Sequence, residues 1–441
     1  MEITMAIIAP FNGLRFNTDV VGDLAAVTAP PYDIISPAQQ KELYEAHPFN
    51  VIRLENGEEF PDDDDNHNKY TRSAEFLEDW MQSEVLRQDF APSLYIYGQK
   101  FTLKDGRTLS YKGIMCLVHL EEFEKKIILP HEETLSKAKT DRLNLMRATG
   151  ANFSPIYSLF NDNSGTVSEI IRKASADEPQ NCFVSADKVT QSLWQISDGE
   201  TIARVKEAFA SKQLFIADGH HRYETALNFR NEMIKKNPNH TGKELYNYVM
   251  MFLVSMEEKG LVVFPTHRLV RNVPGFDETT VTEQLSENFD VSKIYAYSGI
   301  SEAIERKLAE NADDKVFAMY TGKDYYYFLR LKSTEIAKRE NIQKSEAYRL
   351  LDVTILHTLI LGRFFGINAE NMKNQTNLCY TRDAKEAEES VKNGDFECAF
   401  FLNPTKIREI KEISLANEKM PQKSTYFYPK LITGLIMNKF Q

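Results

Sequence analysis

The chain has 441 residues, 42% of them apolar and 27% charged, with 53 Lys and Arg against 64 Asp and Glu for a formal charge of −11. That length suits roughly two or three globular domains. The acidic balance argues against a broad nucleic-acid surface, which needs a basic footprint, and leaves a local basic pocket for a small anionic ligand. No run approaches the roughly 20 apolar residues of a membrane span. The opening stretch MEITMAIIAPFNGLRF has no basic n-region, and its apolar part ends at Pro10, so neither a secretory signal nor a membrane partner is expected. Cys116, Cys182, Cys379 and Cys398 are scattered without a CxxC pair. Free thiols in a reducing cytoplasm are the simple reading.

In chain order, MAIIAPF, AAVTAPPYDIISP and NVIRLE read as short strands bounded by Pro and Asn. PAQQKELYEAHP reads as a helix with Ser36 at the N-cap and Pro37 at N1. The acidic PDDDDNHNKY leads into the helix YTRSAEFLEDWMQSEVL; it lacks the glycine and terminal glutamate of an EF-hand, so a solvated helix start is expected. SLYIYGQKFTL and LSYKGIMCLVHL flank KDGR, an Asp-Gly hairpin signal. The region 200–236 gives helix, strand, turn and helix, and YVMMFLVSM then leads to LVVFPTHRLV. Beyond residue 275 amphipathic helices alternate with the strands KVFAMYTG, DYYYFLRL, NLCYTR and ECAFFLNP, and SEAYRLLDVTILHTLILGRFFG reads as one long helix. The expected class is mixed α/β (α+β), divided into residues 1–275 and a C-terminal α/β lobe, 276–441, whose tail packs back near the site.

The densest chemistry lies in FIADGHHRYETALNFRNEM, residues 215–233. An apolar strand runs into Asp218 and Gly219, and a helix follows. Such a junction offers first-turn N–H groups and the positive end of a helix dipole to a phosphate. Gly219 allows close backbone approach. His220, His221 and Arg222 add donors, Arg222 in a bidentate fork. Asp218 is a candidate Mg²⁺ ligand or proton acceptor. The alternative is an Asp-Gly turn whose His and Arg pair with neighbouring carboxylates. Zinc on His220 and His221 is disfavoured, because no third ligand stands at a familiar spacing.

Other motifs offer partners for this turn. HEET (131–134) supplies Glu133 as a candidate base, with Lys137, Lys139 and Arg142 following; a capped helix start is the alternative. In PPYD, Pro30 and Pro31 fix a turn that aims Tyr32 and Asp33. His267 and Arg268 from PTHR are substrate-binding candidates, or else strand-end residues in surface pairs. In MPQKSTYFYPK, Lys423 is a phosphate-binding candidate, and three aromatics with Lys423 and Lys430 mark a docked segment. Neither a GxxxxGK[ST] loop nor a protein-kinase HRD and DFG set is present, which disfavours a conventional nucleotide kinase.

DGHHRYETA resembles the signature of the DUF1015 family, and APPYDIIS, NVIRLE, HEETLSKAKTDRLNLM, ANFSPIYSLF, FPTHRLV and MPQKSTYFYPKLITGL follow in the family's order. The resemblance implies a ParB/sulfiredoxin-like catalytic core and kinship with free L-serine kinases, some of which use inorganic pyrophosphate. On that basis Mg²⁺, L-serine and pyrophosphate or a nucleotide are the expected ligands, with Asp218, His220 and Glu133 catalytic and Gly219, His221, Arg222 and Lys423 holding phosphate. Tyr32, Asp33, His267 and Arg268 are expected at the substrate. The expected assembly is a monomer or homodimer. An ADP- or ATP-dependent serine kinase or a phosphatase at the same site is the enzymatic alternative, and a non-enzymatic nucleotide- or DNA-binding regulatory module is the competing class.

Overall fold

A computed structural model describes residues 5–132, 134, 136–297, 299–340, 343–367, 371 and 376–440. The chain forms two compact units, the first made of residues 1–130, 134–262 and 429–441, the second of 131–133 and 263–428. The division falls at 262/263 rather than at 275, because the strand His267–Val270 pairs with Leu378–Thr381 and Cys398–Leu402 of the second sheet.

The first unit is built on a nine-stranded sheet. Its order is Ile128–Leu129, Leu214–Asp218, Ile156–Phe160, Tyr248–Ser255, Thr108–His119, Leu94–Thr102, Thr190–Ile196 and Asn181–Val184, with Ile8–Ala9 paired beside Thr108–His119. The Asp-Gly hairpin is present: Leu94–Thr102 and Thr108–His119 run antiparallel, and Gly106 sits at φ 85° in the turn. Ser36 caps the helix Pro37–Ala46 through its Oγ, which accepts from the Gln39 N–H at 3.2 Å. The helices Gly199–Phe209 and His220–Lys236 bury Val205, Phe209, Tyr223, Ala226 and Phe229 against a core that includes Ile114, Cys116, Ile156 and Ile216.

NVIRLE departs from expectation. Its Val and Ile favour a strand locally, yet Ile52–Glu55 is a short helix, started by the Asn50 Oδ1 accepting from the Ile52 N–H at 2.9 Å. Both Val51 and Ile52 are fully buried, so tertiary packing overrides β propensity here. AAVTAPPYDIISP likewise forms a helical turn, Leu24–Val27, and a 3-10 turn, Tyr32–Ile34.

The second unit carries a six-stranded sheet ordered Phe289–Tyr295, Tyr325–Leu331, Val316–Tyr320, Cys398–Leu402, His267–Val270 and Leu378–Thr381. One face holds Val270, Phe317, Leu329 and Phe400, the other Leu269, Ala318, Phe328 and Phe401, which is the period of two expected of strands covered on both sides. The long helix expected over 345–366 is broken. Leu351 takes an extended conformation (ψ 134°) between Glu346–Arg349 and Asp352–Ile355, and Leu356–Leu361 winds as a π segment. Mixed α/β architecture is what the chain has. Among the described residues no helix is long and apolar enough to cross a membrane.

Candidate phosphate site at a strand-to-helix turn

The strand Leu214–Asp218 is buried from Leu214 to Ala217, as its run of apolar residues requires between two neighbours. Its register against Ile156–Phe160 shifts between Ile216 and Asp218, an irregularity of the kind that re-aims a side chain at a strand end. Gly219 follows at φ 91°, and the helix His220–Lys236 begins on the next residue. A Cβ on Gly219 would lie 2.8 Å from Arg222 Nε and 2.9 Å from its Nη2. The guanidinium therefore folds back over the glycine, and only glycine meets both demands.

Asp218 is held by two cations. Its Oδ2 accepts from Arg222 Nη2 at 2.6 Å, and its Oδ1 pairs with Lys430 Nζ. Burial alone would raise this carboxyl, but Lys430 and Arg222, with a contribution from His220, hold it well below the ordinary carboxylate range. The side chains of Asp218, Arg222 and Lys430 are 18%, 11% and 13% exposed, so the trio borders solvent. Arg222 Nη1 also donates to the Pro155 carbonyl at 2.5 Å. Lys430 is itself positioned by its own carbonyl, which accepts from Gln99 Nε2 at 3.2 Å.

His220 is buried. Burial pulls His221 below its ordinary value, and Lys139 and Arg222 add to that against the opposing pull of Glu224 and Asp33. A neutral imidazole at pH 7 follows. One turn along the helix, Glu224 accepts from Thr134 Oγ1 and from Lys139 Nζ, both at 2.7 Å.

A second cluster stands beside the turn. Arg142, on the helix Ser136–Thr149, is buried and donates to the Glu55 carbonyl at 2.7 Å and to Glu55 Oε1 at 3.2 Å. Its Nε reaches Asp141 Oδ2 at 2.7 Å, and its guanidinium carbon lies 4.1 Å from the centre of the Tyr32 ring. Glu55 also accepts from Ser154 Oγ at 3.0 Å. Burial raises Glu55 above its usual range, with Arg142 and then Arg222 opposing it. Tyr32 is pushed up to about 12 by burial against the pull of the same two arginines, so its phenol stays protonated. A cavity of about 40 Å³ is lined in part by Glu55, Arg142, Ser154 and Arg222, room for water rather than for a substrate.

The first unit thus brings together Tyr32, Asp33, Asp218, Gly219, His220, His221 and Arg222. Glu133 lies outside the described residues. His267, Arg268 and Lys423 belong to the second unit. There His267 and Arg268 are 1% and 0% exposed, so they are core residues and not surface pairs, while Lys423 is exposed with its backbone at φ 57°. His131 of HEET hydrogen-bonds Thr425 through Nε2 at 2.9 Å, and Glu132 bridges to Met420. Sequence reasoning passed over Glu55 and gave Arg142 and Lys430 no role at the turn, although each stands inside a motif it had singled out.

Among the described residues Mg²⁺ finds no resident cage: no group of three or more His, Cys, Asp or Glu could hold a metal ion, and Asp218 is already occupied by Lys430 and Arg222. An ion arriving as a chelate of a phosphoryl donor needs only one or two carboxylates.

A family model described as protein of unknown function (DUF1015) matches residues 8–354. No curated protein matches. Among solved structures, a free serine kinase in complex with AMP is 14% identical, covering 68% of this chain and 83% of that one with a TM-score of 0.32. A conserved hypothetical protein from Pyrococcus furiosus is 13% identical over 69% and 88%, TM-score 0.30. SbnI with a C-terminal truncation from Staphylococcus aureus is 10% identical over 72% and 85%, TM-score 0.34. Likeness at these scores carries no argument about activity.

Proposed function

The chain belongs to the DUF1015 family, and from that premise we propose that it is a small-molecule phosphotransferase that converts free L-serine to O-phospho-L-serine, with inorganic pyrophosphate as donor. One observation carries the reading. Tyr32, Glu55, Arg142, Ser154–Pro155 and Asp218–Glu224 come from five separate sequence motifs and meet at one strand-to-helix turn. The turn offers first-turn amides, and the two cations beside it border solvent.

Phosphoryl transfer asks mainly for positioning and for positive charge around the moving group. Donor phosphate seats on residues 219–222, with Arg222 and Lys430 offsetting its charge. The serine hydroxyl oxygen attacks the terminal phosphorus, the bridging P–O bond breaks, and inorganic phosphate leaves with the electron pair. The hydroxyl proton passes to a base, for which His220 is the candidate at the turn. Asp218, kept ionised by its two cations, is a poor proton acceptor; it orients Arg222 and Lys430. Were Mg²⁺ carried in with the donor, Asp218 would be the candidate carboxylate for it, and the ion would add charge neutralisation there. Tyr32 and Asp33 face the acceptor.

Phosphoserine formation followed by ³¹P NMR across pyrophosphate, ADP and ATP tests the assignment. Turnover with ADP or ATP alone would move the donor to a nucleotide. No phosphoserine with any of the three would end the serine reading.

Two variants probe the turn itself. Gly219→Ala forces a side chain into a φ of 91° and against Arg222; backbone strain of this kind costs about 1–3 kcal/mol. Because the guanidinium must also move, kcat/KM is expected to fall by about 100-fold, roughly the loss of one transition-state donor. Lys430→Gln removes one of the two cations on Asp218. A rise of about tenfold in donor KM is expected, the scale of one charge-assisted hydrogen bond, with a smaller change in serine KM.

A further inference from the structure

The second unit holds a buried cation that the chemistry at the Gly219 turn does not use. Arg268 is fully buried on the strand His267–Val270. Its Nη1 donates to the Thr266 carbonyl and its Nη2 to the Lys423 carbonyl at 3.2 Å, while Nε has no partner. Two neutral carbonyls do not balance a guanidinium charge, and among the described residues no Asp or Glu forms an ion pair with it. Burial accordingly pulls its pKa down to about 10.

The groups near it carry buried polar atoms without partners. Tyr380 is the register partner of Arg268 across the sheet, with the guanidinium carbon 5.5 Å from its ring centre. Its hydroxyl is buried and makes no hydrogen bond. His357, buried and close enough to Arg268 to feel its charge, has an unpartnered Nε2. It stands in the π segment Leu356–Leu361, a helix form that recurs where side chains are re-aimed for function. Thr354, three residues earlier and so on the same helix side, has a buried hydroxyl that donates to nothing. By strand alternation His267 faces the other way, its ring 4.9 Å from Phe401, and takes no part.

Orphaned buried polar groups are rare in folded proteins and need an explanation at each occurrence. Here Arg268, Tyr380 and His357 carry such groups in one neighbourhood, one of them cationic, and an oxyanion supplies both negative charge and several acceptor lone pairs. Lys423, whose carbonyl accepts from Arg268 Nη2, is an exposed residue.

We propose that Arg268, Tyr380 and His357, with Thr354, form an oxyanion-binding site within the second unit that takes the phosphate or carboxylate group of a small molecule. This site does not depend on the function proposed for the Gly219 turn. Equilibrium dialysis of the full chain against labelled inorganic phosphate, and separately against labelled acetate, distinguishes the two ligand chemistries. In an Arg222→Ala background, which weakens the turn in the first unit, one of the two anions is expected to bind at one per chain. Adding Tyr380→Phe, which removes a single O–H and leaves the ring, should weaken that binding about tenfold, as loss of one hydrogen bond to a charged group does. Arg268→Gln should abolish it. Unchanged phosphate and acetate binding in the folded Tyr380→Phe variant, or no binding of either anion in the Arg222→Ala chain, overturns the proposal. Failure of the phosphotransferase reading would instead show as no phosphoserine from any donor in the unaltered chain, and Arg222→Ala with turnover intact would move that reaction away from the Gly219 turn.

Discussion

Arg222→Ala is expected to lower kcat/KM for phosphoserine formation by about 10³-fold, the scale seen when a donor aimed at developing charge is removed. The side chain makes three links. Nη2 neutralises one oxygen of Asp218 and Nη1 holds the Pro155 carbonyl. Its charge also reaches Tyr32, Glu55 and His221, so it joins the phosphate turn to the neighbouring acid–base cluster. Arg222→Lys keeps the charge and loses the planar fork, and an intermediate loss of about tenfold to 100-fold separates charge from geometry. The comparison also guards against a folding artefact. Arg222 is partly exposed and Lys430 remains on Asp218, so stability should change by only about 1 kcal/mol, within the usual range for such sites. Steady-state kinetics beside a thermal melt reads both quantities. Turnover within threefold of the unaltered protein would place the reaction elsewhere.

What could be read from the chain alone was whatever is local. The apolar stretch before Asp218, the glycine and the helix after it fix a strand-to-helix turn without any knowledge of neighbours, and the Asp-Gly hairpin follows in the same way. What escaped was pairing across long separations. Lys430 and Asp218 are 212 residues apart and Arg142 and Glu55 are 87 apart, so nothing in local pattern joins them. The C-terminal aromatics drew attention to the 420–430 segment, yet they did not tell Lys423 from Lys430, which belong to different units. NVIRLE failed for a related reason. Its β-branched residues look like strand, while the Asn50 cap and complete burial make it helix, and that helix delivers Glu55 to Arg142. In PTHR only the surface-pair alternative fails: burial of both His267 and Arg268 depends on a sheet covered on both faces, a property of the assembled unit rather than of the tetrapeptide.

The largest effect on stability is expected at Arg142. Arg142→Leu should destabilise the first unit by about 3–5 kcal/mol, because removing one partner of a buried pair leaves the other charge without compensation. Glu55 would keep only Ser154 as a hydrogen-bond donor, Asp141 would lose the guanidinium at 2.7 Å, and Tyr32 would lose the cation beneath its ring. The pH dependence gives the cause away. Burial already holds the Glu55 carboxyl above its reference value of 4.5, and without Arg142 that shift grows. A group that binds its proton more tightly when folded favours the fold in acid, and this contribution is lost as pH rises through the raised value. The Glu55 part of the deficit in Arg142→Leu should therefore be small near pH 4.5 and widen toward pH 7. Asp141 works in the opposite sense. Burial would raise it, but Arg142 and Lys69 bring it down to about 2, so in the unaltered protein its contribution is present above about pH 4 and fades as pH falls toward 2. Denaturant unfolding of both proteins between pH 4.5 and 8 reads the Glu55 term alone, since that of Asp141 stays constant above about pH 4. Glu55→Gln combined with Arg142→Leu should recover part of the loss at pH 7, since the amide carries no charge to strand. A double variant no more stable than Arg142→Leu alone would mean that Arg142 does not act through the charge of Glu55.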